Sequence, residues 1–162
     1  MAKIHRPPEF MWRVIRVMNR RVRSLLRSGG GPAGVVLLTT TGRKSGLLRE
    51  TPLQHEVVGG VIYVAAARGP EADWFQNLVA DSHVTVQTKA GRFDALAEPI
   101  RDPARIADFL EVRLERHPRM IRAMLLLHGM PLRPRREHLE QLAGQLALVA
   151  LHPDTQPPPH DA

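Results

Sequence analysis

Between Glu9 and Arg27 the apolar residues Met11, Ile15, Met18, Val22 and Leu25 recur at alternating spacings of four and three, a period that predicts an amphipathic helix. Ser28 and the run Gly29-Gly30-Gly31 end it, because glycine is entropically costly in a helix and readily takes a left-handed cap. The pattern then changes. Gly34 to Thr41, Gln54 to Val58 and Val61 to Ala66 are rich in β-branched residues and predict strands, the last two joined by a hairpin at Gly59-Gly60. Asp73 is placed to cap a helix from Trp74 to Ala80, with Gln76 three residues on as in a capping box. Val84 to Thr88 and Phe93 to Ile100 predict a second hairpin around Ala90-Gly91.

Helical spacing returns after this hairpin. Asp102 precedes Pro103 in the order expected at a helix start, and Ile106, Phe109, Leu110 and Leu114 share a face of a helix running to Arg116. Further helices are predicted from Pro118 to Leu127 and from Arg135 to Gln145, and Leu146 to Leu151 is a short apolar run suited to a closing strand. Hairpins broken by one helix, then helices, then a last strand do not make the strand-helix alternation of a parallel sheet. The expected class is mainly β (α+β): a small antiparallel barrel with helices packed outside it. The expected organisation is a basic helix and glycine joint over residues 1–31, a barrel domain over 32–152 with a helical insertion at 103–145, and a disordered proline-rich tail over 153–162.

Composition narrows the chemistry. With no cysteine there are no disulfides and no thiolate metal sites or nucleophile, and the eight histidines are scattered without H-E-x-x-H or similar spacing, so no metal site is expected. No G-x-G-x-x-G fingerprint, P-loop or G-x-S-x-G motif occurs, and no catalytic acid–base set is assigned. The absence of a signal-peptide pattern and of a long apolar run points to a cytoplasmic protein. A net charge of +7 favours anionic partners. Part of it lies opposite the apolar face of the first helix, at Arg13, Arg16, Arg20, Arg23 and Arg27. That helix either rests peripherally on the inner, anionic face of a membrane or packs its apolar face on the barrel or a partner subunit. Nucleic acid is not expected as a partner, since the segment has no stacking platform and no known motif.

The second basic cluster carries the more specific chemistry. Thr39-Thr40-Thr41-Gly42-Arg43-Lys44-Ser45-Gly46 ends a strand in a turn with two glycines, two cations and several hydroxyls, and Arg49 lies on the returning strand. Such a turn can cradle a phosphate through backbone N–H groups and charged donors, or it can be an ordinary solvated hairpin. Leu38 to Gly46, Arg49, Thr51-Pro52-Leu53, Gly59-Gly60, Val64 to Gly69, and Trp74 with Asn77 together resemble the deazaflavin (F420)-dependent nitroreductase family, in order and spacing, from about Val35 to Ile100. The closing run Leu148 to Pro153 is similar to that family's last strand.

The resemblance implies a split β-barrel oxidoreductase that uses coenzyme F420. It places Arg43, Lys44, Ser45 and Arg49 on the cofactor's phosphate or tail, and Thr51, Pro52 and Leu53 along the deazaflavin ring. Ala65, Ala66, Ala67 and Arg68 pass beside the cofactor, and Asp73, Trp74 and Asn77 complete the pocket. Hydride would pass from the reduced deazaflavin to a small-molecule acceptor such as a quinone, nitroaromatic or activated enone. Two departures stand out: Tyr63 is the single tyrosine, and Gln54 occupies a position where the family often has an aromatic residue. An FMN-dependent split-barrel oxidoreductase and a non-catalytic cofactor- or lipid-binding barrel are the alternative readings. A homodimer follows by analogy with split-barrel relatives that pair through their sheets.

Overall fold

The computed structural model describes residues 19–66, 69–127 and 129–154. Strands form at each of the predicted runs, with β2 starting six residues earlier than its β-branched run: β1 (Val35–Thr41), β2 (Leu48–Val58), β3 (Val61–Ala66), β4 (His83–Thr88), β5 (Gly91–Ile100) and β6 (Ala147–Pro153). All pair antiparallel and close into a barrel in the order β1-β2-β3-β6-β5-β4. Gly59 and Gly60 have φ of 59° and 82°, the positive values that a two-residue hairpin turn requires. This is the expected α+β barrel with helices outside it. Pro153, expected in the tail, instead ends β6 opposite Ala95, and the tail beyond residue 154 lies outside the described residues.

Two hydrophobic clusters share the barrel wall. Alternation along each strand sends one set inward, where Val36, Leu38, Val64, Val86 and Val149 meet Trp74, Phe75 and Leu78 of the helix α2 (Asp73–Ala80) that plugs one end. The other set, including Leu148 and Ala150, faces outward under α3 (Pro103–Arg116), α4 (Pro118–Leu127) and α5 (Arg136–Ala143). The helical insertion is therefore a second layer. α3 starts as predicted: the Asp102 carboxylate accepts a hydrogen bond from the Ala104 N–H at 3.0 Å, and Pro103 occupies the first helical position.

Residues 19–27 are helical (α1), and the earlier part of the predicted helix lies outside the described residues. The end of α1 packs on the barrel. Leu26 is fully buried, its carbonyl accepts from Gln87 Nε2 at 2.8 Å, and Arg27 Nε donates to Glu50 Oε2 at 2.9 Å. Leu25, expected on the apolar face, is exposed instead. The chain folds back over Leu26: at Gly31 it runs so close that a Cβ there would lie 2.7 Å from Leu26 Cδ2. Among the described residues, no helix is long and apolar enough to cross a membrane.

A buried ion cluster ties β2 to the helical layer. Glu56, almost fully buried, accepts from Arg116 Nη1 at 2.7 Å, lies 3.0 Å from His117 Nε2, and has Arg113 Nε 3.7 Å away. Burial pushes its carboxyl up, but the hydrogen bonds from Arg116 and His117 and the charges of His117 and Arg113 together hold it below the usual range.

Candidate functional site

The turn between β1 and β2 is built by glycine. The Gly42 N–H donates to the Leu47 carbonyl at 2.8 Å, and the Gly42 carbonyl accepts from Gly46 N–H at 2.7 Å. A Cβ at Gly42 would stand 2.8 Å from Ser45 Oγ and 3.0 Å from the Leu47 carbonyl, so only glycine fits without a shift. Ser45 Oγ closes the turn further by accepting from the Leu47 N–H at 3.3 Å.

The basic residues of this turn divide into two kinds. Arg43 is clipped to α2: its backbone N–H and Nη1 donate to Asn77 Oδ1 at 3.2 and 3.0 Å, and its Nη2 donates to Asp73 Oδ1 at 3.1 Å. Asn77, buried, donates in turn to Thr40 Oγ1 at 3.2 Å. Asp73 therefore does not cap α2, as the sequence had suggested. It is the first helical residue, Ala72 occupies the cap position without a side-chain bond, and Arg43 draws the Asp73 carboxylate to itself. Gln76, the other half of the expected capping box, donates to the Pro70 carbonyl at 2.6 Å.

Lys44 and Arg49 are the other kind. Both are exposed, and among the described residues neither has a carboxylate within ion-pair distance. Arg49 lies directly across from Thr40, so the clip and the free cations stand side by side at one end of the barrel.

β2 leads from these cations to the opening in the barrel. Its first part, Leu48 to Gln54, pairs with β1, whereas β3 pairs with it only from His55 to Val58. Beyond that point the two strands part, and β3 continues at Ala65 and Ala66 against β6 alone. Thr51, Pro52 and Leu53 thus form one lip of a split, and Ala65 and Ala66 form the other. Ala67 and Arg68 lie outside the described residues.

The register also explains the proline. His55 N–H donates to the Gly34 carbonyl at 2.9 Å, so alternate residues of β2 turn their backbone groups to β1, and the Pro52 nitrogen turns to the split, where no ladder bond is lost. That edge turns the Pro52 carbonyl toward the split. At roughly 3.4 Å per residue, Arg49 and Leu53 are about 14 Å apart along the strand.

The remaining predicted residues are structural in their contacts. Trp74 is buried in the inner core, edge-on to Phe75 at 6.0 Å, and Asn77 spends its oxygen on Arg43. Outside the barrel wall, a cavity of about 120 Å³ lies between α3, α4 and the strands, with Gln54 and Ala65 at its meeting with the split and Arg113 in its wall. Arg113 was not singled out from the sequence, although its distance of three from Leu110 and seven from Ile106 puts it on the buried stripe of α3.

Comparison with known proteins identifies the cofactor. The family model for F420H(2)-dependent quinone reductase matches residues 12–124. The chain belongs to this family. It is an F420-dependent reductase, and its cofactor is coenzyme F420.

Solved structures agree on the fold. An F420-H2 dependent reductase (FDR-A) is 22% identical, with 74% of this chain and 95% of that one covered and a TM-score of 0.51. A conserved hypothetical protein from Mycobacterium tuberculosis is 16% identical over 84% of this chain and 80% of that one, with a TM-score of 0.54. The heme storage protein HutZ from Vibrio cholerae is 17% identical over 84% and 89%, with a TM-score of 0.51. A heme-storage protein on the same barrel means that the fold alone does not choose the ligand. For this F420-dependent reductase the family match makes that choice.

Proposed function

We propose that the chain transfers a hydride from reduced F420 to a quinone, nitroaromatic or activated enone, with the cofactor laid along β2. What supports this reading is one arrangement. Two cations without carboxylate partners among the described residues, Lys44 and Arg49, stand at the end of the strand whose middle, Thr51 to Leu53, forms a lip of the split.

Lys44, Arg49 and the Ser45 turn hold the phosphate and acidic tail, for which exposed, unneutralised cations are suited. Arg43 acts differently: by fastening the turn to Asn77 and Asp73 it fixes where those cations point. The Pro52 carbonyl meets the polar edge of the ring, while Ala65 keeps the opposite lip low. When bound, the reduced deazaflavin supplies the hydride, so the protein's work is orientation and exclusion of water, and no acid–base pair is required.

Mixing the purified protein with reduced F420 and a panel of the three acceptor classes tests the proposal. Acceptor-dependent oxidation of the coenzyme, followed by its returning absorbance, is the expected result. Oxidation no faster than in protein-free controls across all three classes would sink it.

A further inference from the structure

The cavity under α3 and α4 has almost wholly apolar walls among the described residues, including Ile106, Phe109, Ile121 and Leu146, and Arg113 is the one charged residue among the described residues lining it. An arginine there needs a reason. Its side chain is only 11% exposed, and its Nε, fully buried, makes no hydrogen bond among the described residues. Its carboxylate neighbour is already engaged: Glu56 takes Arg116 at 2.7 Å and stands 3.0 Å from His117, leaving Arg113 Nε at 3.7 Å. The guanidinium otherwise lies over the Phe109 ring, 5.9 Å from its centre. A buried donor left unmatched beside an apolar hollow is where a ligand oxygen is most strongly favoured. Gln54, exposed at the rim, is a second polar group where the hollow meets the split.

We propose that this cavity is the acceptor pocket: it takes one apolar ring bearing a carbonyl, whose oxygen receives a hydrogen bond from Arg113 while larger substituents leave past Gln54. This rests on the reading that hydride transfer takes place at the split. At about 120 Å³ the cavity is close in size to the roughly 150 Å³ hollow known to admit benzene in another protein, so a single ring is the right scale. A fused multi-ring acceptor fits only by projecting outward.

The test uses two ligands of matched shape, 2,6-dimethyl-1,4-benzoquinone and 1,3-dimethylbenzene, titrated into the full chain with methyl NMR as the readout. The absence of cysteine spares the quinone from thiol addition. Both ligands are expected to shift the methyl signals of Ile121 and Met124. Arg113→Leu should weaken the quinone by about tenfold or more and leave the hydrocarbon unchanged, because only the quinone loses a charged hydrogen bond. Leu146→Phe, a change at the partly buried rim, should weaken both, and serves if the arginine variant does not fold.

No shift at Ile121 and Met124 in the wild type, or equal quinone affinity in Arg113→Leu, would overturn the inference. Oxidised F420 is titrated separately. If F420 binds and the quinone does not reach these methyls, the pocket fails and the cofactor reading stands. If the quinone binds there and F420 does not bind, the cofactor reading fails and the carbonyl site stands.

Discussion

Replacing Lys44 and Arg49 together by alanine is expected to weaken F420 binding by about a hundredfold, with little change in melting temperature. Each cation would contribute a charge-assisted hydrogen bond of roughly 1.5–3 kcal/mol if buried, and discounting for exposure leaves about 2.7 kcal/mol for the pair. Stability should hold because neither side chain has a carboxylate partner among the described residues. Arg43→Ala should behave in the opposite sense, lowering stability first, since it removes contacts to Asn77 and Asp73. Fluorescence titration of the coenzyme beside thermal melts separates the two. Unchanged F420 affinity in the double variant would remove the anion cradle from the account.

Glu56→Gln is expected to cost about 2 kcal/mol at neutral pH, since it leaves Arg113 and Arg116 without their buried counter-charge. The effect carries a pH signature. The folded-state pKa of Glu56 lies below its ordinary value of 4.5, so the folded protein binds fewer protons at this site than the unfolded chain. The stabilisation is therefore complete above that ordinary value and is lost as pH falls through the lower folded value. Urea unfolding of both proteins should show a gap that is constant near neutrality and closes in acid. A gap that widens on acidification would mean that the cluster is not held by the ionised carboxylate.

Much of this architecture is legible in the amino-acid pattern, and the exceptions have identifiable causes. β1, β3 and the hairpin at Gly59-Gly60 follow from β-branched runs and a glycine pair whose positive φ values the turn uses. The first half of β2 is hidden by Arg49, Glu50 and Pro52, which break the alternation of a strand. It forms because β1 alone pairs with it there and the proline nitrogen faces the split.

Asp73 and Asp102 look alike at the start of their helices, yet only Asp102 caps. What distinguishes them is Arg43, thirty positions away in the chain and brought in by the barrel. The same long-range contact separates Arg43 from Lys44, neighbours that read as equivalent cations in the turn. The first helix was open between membrane and barrel. Its described end sits on the barrel through Leu26, a position one residue beyond the face that spacing selects.

Gln54 and Arg113 show how departures from pattern carry information. An amide in place of an aromatic residue, and an arginine on an apolar helical stripe, both line the same cavity. Neither is interpretable until β2 and α3 are seen to face each other across it.

The most direct test of the cofactor assignment is equilibrium binding of oxidised F420 to the purified full chain, with FMN titrated in parallel. Saturable F420 binding at micromolar concentration, with FMN at least tenfold weaker, is the predicted result. Protein that emerges from purification carrying FMN, or that fails to bind F420 while remaining folded, would contradict it.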